Sequence, residues 1–412
     1  MKNQGDVSRR AVLAGIGSTA LLTGLSGRAQ AAGNVFRIGA PNTITGAAGV
    51  FGTGVQNTII EMAKRLNAAG GAGGHTFEVF AEDTQTLPEP ALLAARKLIE
   101  VNEVKALLGV YSSPEALAII PASNAADVVL MHTGAAPKLA ADNTEGLGFQ
   151  FYPSSQSIGF VLNQIVTKEG YERPVTLTLT NDASIGNSTS FHKYWAEQTG
   201  SEPEDIRYQP NQPNYRSELQ QALLANPDVI ILNGYEPDAT IIMKQLYELG
   251  NTARVIAPEF AVTTRLIEAL GPELVEDTIV YRFVPNSDSA AYTLFDEVYQ
   301  AAMDAPGSAN TYAAIAYDEM NLVALALELD PAISTGAELA DAIHKVCGPD
   351  GEPCNSFAEG KELIAGGATV LNYLGASGPC DFDDQGRTPG NFGVSEVKSG
   401  EYVFAYGIVF ED

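Results

Sequence analysis

The sequence predicts an α/β fold built of two Rossmann-like lobes with parallel sheets. Short β-rich apolar runs alternate with longer segments of helical periodicity, and this alternation restarts once along the chain. Strand–helix–strand repetition favours a parallel sheet with right-handed crossovers. Two series of such repeats therefore predict two units, which suits a chain of 412 residues better than one domain does.

The first series supplies four strands and the three helices between them. The predicted strands are Val35–Ala40, Phe77–Ala81, Ala106–Val110 and Val128–His132. The predicted helices are Gly54–Ala69, Glu89–Val101 and Pro114–Ala125. Each helix follows one strand and precedes the next, as a parallel sheet requires.

The second series begins after Phe149–Pro153, which is interpreted as the segment that crosses between the two units. Its predicted strands are Val175–Thr180, Val229–Leu232 and Arg254–Ala257. Its predicted helices are Ser157–Glu169, Ser188–Thr199, Ser217–Ala225 and Ala239–Leu249. The remainder predicts helices Ala290–Met303, Tyr312–Leu329 and Gly336–Val346, and a hairpin of Asn391–Val397 with Tyr402–Val409. This last third is expected to add to both units.

The first 31 residues predict an export signal. Arg9 and Arg10 precede an apolar run that is too short and too rich in glycine to span a bilayer. Ala29-Gln30-Ala31 then offers the small residues that a signal peptidase needs. The arginine pair is typical of twin-arginine export, and an ordinary secretory signal is the alternative. Either route predicts a mature protein that works outside the cytoplasm.

The chain is strongly acidic, with a net charge of −26. Residues 1–31 hold four basic residues and one acidic residue, so the mature chain carries about −29. The acidic residues are spread along the chain, which indicates an acidic surface rather than an acidic tail. This charge argues against nucleic acid or an anionic membrane surface as a partner.

Three cysteines are present, and export predicts one disulfide. Cys347 and Cys354 flank a turn-prone loop that could bring them together, so this pair is predicted, with Cys354 and Cys380 as the alternative. No histidine and cysteine spacing typical of a metal site occurs.

Ser112-Ser113-Pro114-Glu115 directly follows the third predicted strand and opens a helix. Ser113 suits the N-cap, and Pro114 suits the first helical position, where its missing N–H costs nothing. A helix N-terminus at this edge of a parallel sheet presents free N–H donors where such sheets bind ligands. Ser112 and Ser113 are therefore candidate binding residues for a carboxylate, and a plain N-cap is the alternative.

Four groups of residues together resemble a known family. They are Ile38–Pro41 with Thr45-Gly46 and Phe51-Gly52, Ala94–Ile99 with Val104–Gly109, Tyr317-Asp318, and Tyr373–Pro379 with Phe382-Asp383. In order and spacing they resemble the periplasmic substrate-binding proteins of ABC transporters, in the type I fold of the Leu/Ile/Val-binding receptors. The resemblance covers almost the whole chain after residue 31.

The resemblance implies two lobes that close around a ligand held between them. The first lobe would comprise 33–152 plus 284–375, and the second 153–283 plus 376–412. Three crossing segments are expected near Phe149–Pro153, Val280–Pro285 and Gly375–Phe382. The resemblance also implies a soluble periplasmic monomer that needs no cofactor and delivers its ligand to an ABC permease in the inner membrane.

The resemblance further implies ligand contacts in the first lobe and one at the rim of the second. Gly134, Ala135 and Ala136 lie in the loop that contacts the ligand carboxylate, although the usual hydroxyl residue after the small pair is missing. Phe51 matches an aromatic of the cleft wall. Ile185 stands where the second lobe usually offers an aromatic, so the pocket wall is expected to be altered.

Two further positions complete the predicted site. Tyr235 and Glu259 follow strands of the second series and match residues that touch the ligand in the amino acid receptors. Glu259 would face the ligand ammonium, where an opposite charge in a closed cleft is favourable. With Ser112 on the other lobe, these positions predict a clamp for a zwitterionic amino acid.

The leading functional hypothesis is a transport receptor for an amino acid or a similar small carboxylate, without enzymatic activity. The alternatives are a solute sensor that docks on a membrane signalling receptor, a receptor for amides or aromatic acids, and an exported hydrolase. A Gly-x-Ser-x-Gly elbow is absent from the sequence, which disfavours the hydrolase.

Overall fold

The computed structural model describes residues 34–388 and 390–410. The predicted export signal, residues 1–31, lies outside the described residues. The first third of the described chain forms a five-stranded sheet, ordered β2-β1-β3-β4-β5, in which every neighbouring pair is parallel. Its strands are β1 (Asn34–Asn42), β2 (His75–Asp83), β3 (Ala106–Val110), β4 (Val129–His132) and β5 (Gly148–Gln150). Its helices are α1 (Gly49–Ala68), α2 (Pro88–Glu100), α3 (Ser113–Ala126) and α4 (Pro137–Asp142).

A second sheet begins after α5 (Ser155–Lys168). Its parallel strands are β6 (Pro174–Leu179), β7 (Glu204–Tyr208), β8 (Val229–Asn233), β9 (Arg254–Pro258) and β10 (Ile279–Phe283). The helices between them are α6 (Asp182–Thr199), α7 (Arg216–Leu224), α8 (Glu236–Glu248), α9 (Thr264–Leu270) and α10 (Pro272–Val275). We call the halves of the molecule built on the two sheets the first lobe and the second lobe.

The rest of the chain contributes helices, a small pair of strands and a hairpin that extends the second sheet. Four helices follow: α11 (Ala290–Met303), α12 (Thr311–Leu329), α13 (Gly336–Val346) and α14 (Phe357–Ala365). A small parallel pair, β11 (Glu352–Cys354) and β12 (Leu371–Tyr373), lies beside them. The hairpin of β13 (Asn391–Lys398) and β14 (Glu401–Val409) joins β10 antiparallel, which gives the second sheet the order β14-β13-β10-β9-β8-β6-β7.

Helix α12 is the centre of the first lobe's core. Apart from Asp318, Glu319 and Asn321 its buried part is almost entirely apolar, and all residues from Tyr312 to Leu327 are buried. A helix with apolar residues on every face must be enclosed by its neighbours. It contacts α1, α11, α13, α14 and β3. This architecture confirms the predicted fold class, two α/β lobes with parallel sheets.

Two elements of the second sheet differ from expectation. β7 carries Glu204, Asp205 and Arg207 and buries only alternate residues, because it is an edge strand, and so it lacks the apolar run of the inner strands. Residues 279–283, which overlap the crossing segment expected near Val280–Pro285, form an unpredicted inner strand, β10, and the chain leaves the sheet after Phe283.

The predicted disulfide is not formed, and Cys347, Cys354 and Cys380 are all buried free thiols. Asn372 in β12 pairs with Pro353 on one side and with Cys347 on the other. A strand therefore separates Cys347 from β11 and Cys354, and two strand spacings amount to about 9.6 Å. Disulfides need Cα atoms within about 7 Å. The alternative bond between Cys354 and Cys380 is equally absent.

The segments that connect the lobes are bonded to one another. Gln150 N–H donates to the Gly386 carbonyl at 2.7 Å, and Asn286 N–H donates to the Ala376 carbonyl at 2.9 Å. Asp318 of α12 fixes the third connection, because its carboxylate accepts hydrogen bonds from the Tyr373 hydroxyl (2.8 Å), Ala376 N–H (2.8 Å), Ser377 N–H (2.7 Å) and the Ser377 hydroxyl (2.5 Å). Gly375 is needed beside it, since a Cβ there would lie 2.5 Å from the carboxylate.

Within the described residues, no helix has the length and apolarity needed to cross a membrane.

Candidate functional site

The carboxyl ends of the strands of both lobes meet at two small adjoining cavities, each with a volume of about 10 Å³. Phe51 and Tyr312, both from the first lobe, line each of them. The first cavity is also lined by Tyr152, Glu259, Phe260, Tyr281, Arg282, Phe283 and Thr311. The second is also lined by Thr43, Gly52, Val55, Gly109, Tyr111, Thr133 and Ile315. Because Glu259 and Phe51 come from different lobes, the first cavity is an interlobe site.

Aromatic rings form most of the cavity walls. Phe51 and Tyr111 each lie 5.1 Å from Tyr312, measured between ring centroids, and Tyr152 lies 5.8 Å from Tyr312. On the second lobe, Phe260 packs 5.6 Å from Tyr235. The walls thus present ring faces and phenol hydroxyls, which suit apolar groups and cations alike.

Glu259 is the acidic group of the first cavity. It follows β9, and its N–H donates to the Tyr281 carbonyl at 3.0 Å, which fixes the backbone. Its carboxylate has no hydrogen bond or ion pair with any side chain or backbone group of residues 34–388 and 390–410. Burial raises the pKa of Glu259, and the nearby Arg282 offsets part of this rise. A positively charged group beside it would favour the ionised form of this carboxylate.

The two serines of the first lobe have different environments. Ser112, not Ser113, is the N-cap of α3, and its side chain makes no capping bond. Its φ of 70° and ψ of 149° are costly for any residue except glycine, and such strain is concentrated at ligand sites. The Ser112 hydroxyl lies beside the hydroxyl of Tyr235 from the second lobe. Ser112 therefore sits where the two lobes meet.

Ser113 binds the loop that follows β4. Its Oγ accepts hydrogen bonds from Ala135 N–H (2.8 Å) and Ala136 N–H (2.9 Å), while Gly134 N–H donates to His132 Nδ1 at 3.1 Å. Burial lowers the pKa of His132 to about 4, so this ring is neutral and can accept. The N–H groups of Gly134, Ala135 and Ala136, which were expected to contact a ligand carboxylate, thus donate to groups of the protein itself.

The remaining predicted residues lie around these cavities. Phe51 lines both of them. Tyr235 is the N-cap of α8 and faces Ser112. Ala135 and Ala136 line a separate depression with Pro137, and Ile185, in the first turn of α6, lines neither of the two cavities.

Sequence reasoning missed four of the residues that build the walls. Tyr111, Tyr152, Tyr312 and Phe260 line the cavities, and each stands within two residues of the end of a strand or at the start of a helix. The positions after strands at the ligand-binding edge were the available signal. A tyrosine there is more often a packing residue, which is why the signal was too weak to use.

Glu115 is a second carboxyl group at this junction. It lies in the first turn of α3 and is completely buried. Its Oε2 accepts a hydrogen bond from the Thr84 hydroxyl at 3.0 Å, and its Oε1 has no partner among the described residues. Burial, reinforced by the charge of Asp83, raises the pKa of Glu115 to about 9.

A comparison of the chain with known families matches residues 35–357 to the periplasmic binding protein family. The match spans most of the chain, and the protein belongs to this family. A curated relative, an amino acid binding protein of Pseudomonas aeruginosa, is 21% identical over 253 residues. That alignment covers 59% of this chain and 66% of the relative's length.

Solved structures share the fold. A leucine binding protein from Thermotoga maritima matches with a TM-score of 0.75 and 22% identity, covering 91% of this chain and 99% of that one. A branched-chain amino acid transporter substrate-binding protein from Streptococcus pneumoniae, in complex with isoleucine, gives 0.74 and 19% over 92% and 99%. A solute-binding protein from R. palustris, in complex with 4-hydroxybenzoate, gives 0.75 and 17% over 92% and 98%.

Proposed function

We propose that this protein is the extracytoplasmic receptor of an ABC importer and binds an amino acid or a similar small carboxylate between its lobes. In this proposal residues 1–31 direct export and are removed. The mature chain closes around its ligand by hinge motion and presents it to a permease in the inner membrane. The lobes are 33–152 plus 284–375 and 153–283 plus 376–412, and the receptor acts as a monomer.

The observation that carries the proposal is the Glu259 carboxylate. It lines an interlobe cavity, it is half-buried, and it has no hydrogen bond or ion pair with any group of the described residues. Partial burial disfavours a charge without a partner, so a site that keeps such a charge is suited to a ligand that supplies the opposite charge. An α-ammonium group does so, and the aromatic walls then contact the rest of the ligand.

The carboxylate of the ligand is expected beside Ser112. Ser112 is strained and touches Tyr235 across the lobes, so a group bound there contacts both lobes at once. The N-terminus of α3 adds a positive partial charge at the same point. These features support the predicted clamp for a zwitterion, in which Ser113, Gly134, Ala135 and Ala136 shape the first-lobe wall.

A second candidate ligand class is the aromatic acids. Its support is the ring-lined wall made by Phe51, Tyr111, Tyr152 and Tyr312, together with the fold shared with a 4-hydroxybenzoate complex. An aromatic acid carries no ammonium, so it would leave Glu259 unpaired. Amine dependence therefore separates the two candidates.

A thermal-shift screen tests the proposal. We expect α-amino acids to stabilise the protein, by about 2.7 kcal/mol when the ligand is present at a hundred times its Kd. Each amino acid is paired with the same molecule without its amine, such as leucine with 4-methylpentanoate. Stabilisation by benzoates or aliphatic acids, with none by their amino acid counterparts, would refute the amino acid assignment.

A further inference from the structure

The hydroxyl of Tyr281 is a buried polar group without a partner at the first cavity. Tyr281 is 1% exposed and lines this cavity together with Glu259. Its hydroxyl has no hydrogen-bond partner among the described residues. A buried hydroxyl without a partner lowers stability and needs an explanation, such as a ligand that supplies the partner.

The alternation of side chains along β10 places Tyr281 on the side of the cleft. Successive residues of a strand point to opposite faces of the sheet, so Tyr281 and Phe283 share one face. The ring of Phe283 lies 5.6 Å from that of Tyr152, which belongs to the segment connecting β5 to α5. The side chain of Tyr281 therefore lies on the face of β10 that meets the connection between the lobes.

Tyr281 and Glu259 are held side by side at the end of the second sheet. Pro258 of β9 pairs with Tyr281 of β10, and the Glu259 N–H donates to the Tyr281 carbonyl at 3.0 Å. The hydroxyl of Tyr281 nevertheless makes no hydrogen bond to the Glu259 carboxylate. The cavity that both residues line has a volume of about 10 Å³, which is room for about one water molecule. A group that bonds to both must be small and must carry at least two hydrogens to donate.

A primary ammonium group meets these requirements. It is about as large as a water molecule and has three N–H donors. One N–H can donate to the Glu259 carboxylate, which also supplies the opposite charge, and a second can donate to the Tyr281 oxygen. Burial raises the pKa of Tyr281, so its phenol stays neutral and can accept this bond. A methyl group on the nitrogen removes one donor and needs space that a cavity of this size lacks.

Building on the proposed amino acid receptor, we propose that the Tyr281 hydroxyl is a second acceptor for the α-ammonium of the ligand, beside Glu259. The receptor then selects primary amines and rejects amino acids that are methylated on the nitrogen. Because the hydroxyl gains its partner only when the ligand binds, it contributes to affinity and not to the stability of the free protein.

Tyr281→Phe tests this proposal. Isothermal titration with norvaline at pH 7 should show tenfold weaker binding or more, since a hydrogen bond to a charged group is lost. Urea denaturation of the free protein should give an unfolding free energy equal to or above that of the wild type, because the substitution removes a hydroxyl that has no partner. The wild type should bind N-methylnorvaline at least tenfold more weakly than norvaline.

Tyr215→Phe is the matched control. Tyr215 is likewise a buried tyrosine of the second lobe, but its hydroxyl has a partner and donates to the Asp238 carboxylate at 2.6 Å. This variant should lose stability in urea denaturation and keep the norvaline affinity of the wild type. The two substitutions thus separate a hydroxyl that binds the ligand from one that stabilises the fold.

The double variant of Tyr281→Phe and Glu259→Gln tests whether both groups bind the same ammonium. If they do, its loss of norvaline affinity should be smaller than the product of the two single losses. Four results overturn the role of Tyr281 and leave the proposed function intact: unchanged norvaline affinity in Tyr281→Phe, a lower stability of that variant, single losses that simply multiply, or equal binding of N-methylnorvaline and norvaline by the wild type. If norvaline does not bind the wild type, the proposed function fails as well.

Discussion

The carboxylate of Asp318, at the connection between the lobes, and those of Glu115 and Glu259, in the cleft, differ in their hydrogen-bond partners. Asp318 and Glu115 are completely buried, and Glu259 is half-buried. Asp318 accepts four hydrogen bonds, Glu115 accepts one, and Glu259 accepts none from the described residues. The fully bonded acid holds the chain in place, whereas acids with unpaired oxygens lower stability.

Among substitutions of these three acids, the largest expected change in stability is at Asp318. Asp318→Ala should lower the free energy of unfolding by about 4 kcal/mol, because it leaves four buried N–H and O–H donors, those of Tyr373, Ala376 and Ser377, without their acceptor. Urea denaturation measures this. Asp318→Asn, which keeps one acceptor oxygen, should cost less. A loss under 1 kcal/mol for the alanine variant would show that the connection does not depend on this carboxylate.

Substitution of Glu115 is expected to raise the free energy of unfolding, whereas substitution of Asp318 lowers it. In the unfolded chain Glu115 ionises near its ordinary pKa of 4.5, whereas in the folded protein it keeps its proton up to about pH 9. The folded state therefore binds the extra proton, and stability falls as pH rises through this window. Glu115→Gln removes that penalty, so we expect it to be more stable by about 2 kcal/mol at pH 7.

Denaturation at pH 5 and at pH 8 measures the effect. The advantage of Glu115→Gln over the wild type should grow between these values. A variant that is less stable than the wild type at pH 8 would mean that Glu115 makes a stabilising contact.

A smaller loss of stability is expected at Ser113, whose hydroxyl accepts two backbone hydrogen bonds. Ser113→Ala deprives Ala135 N–H and Ala136 N–H of their shared acceptor. We expect a loss of about 1.5 kcal/mol in urea denaturation, since each amide can regain part of its bonding from water. Ser113→Thr, which keeps the hydroxyl, is the control. Ligand affinity reduced by Ser113→Ala without any loss of stability would instead place Ser113 in direct contact with the ligand.

The fold was largely predictable because its signals are local. The inner strands β3, β8 and β9 are apolar runs bounded by turns, and periodicity identifies such segments. β7 was missed because an edge strand buries only alternate residues and can carry charge. The cysteine pairing was wrong for a different reason: the strand that separates Cys347 from Cys354 comes from residues 371–373, which no local pattern connects to them.

The site was predictable only in part, because it depends on contacts between residues far apart in sequence. Phe51 and Glu259 line the same cavity although 208 positions separate them, and only the family resemblance indicated both. That Ser113 would occupy the amides of Ala135 and Ala136 depends on how two loops pack. The isolation of Glu115 is likewise a property of the packed interior, because a glutamate in the first turn of a helix is ordinary in sequence.

The most direct test of the account is the dependence of binding on Glu259. Titration calorimetry should compare norvaline and ornithine with pentanoate and 5-aminopentanoate, which lack the α-amine, on the wild type and on Glu259→Gln. We predict that the wild type binds the α-amino acids, and that Glu259→Gln weakens them tenfold or more, about 1.4 kcal/mol, with its unfolding free energy unchanged. Two results would contradict the account. One is that Glu259→Gln and the wild type bind the α-amino acids with equal affinity. The other is that the wild type binds pentanoate and 5-aminopentanoate as tightly as the corresponding α-amino acids.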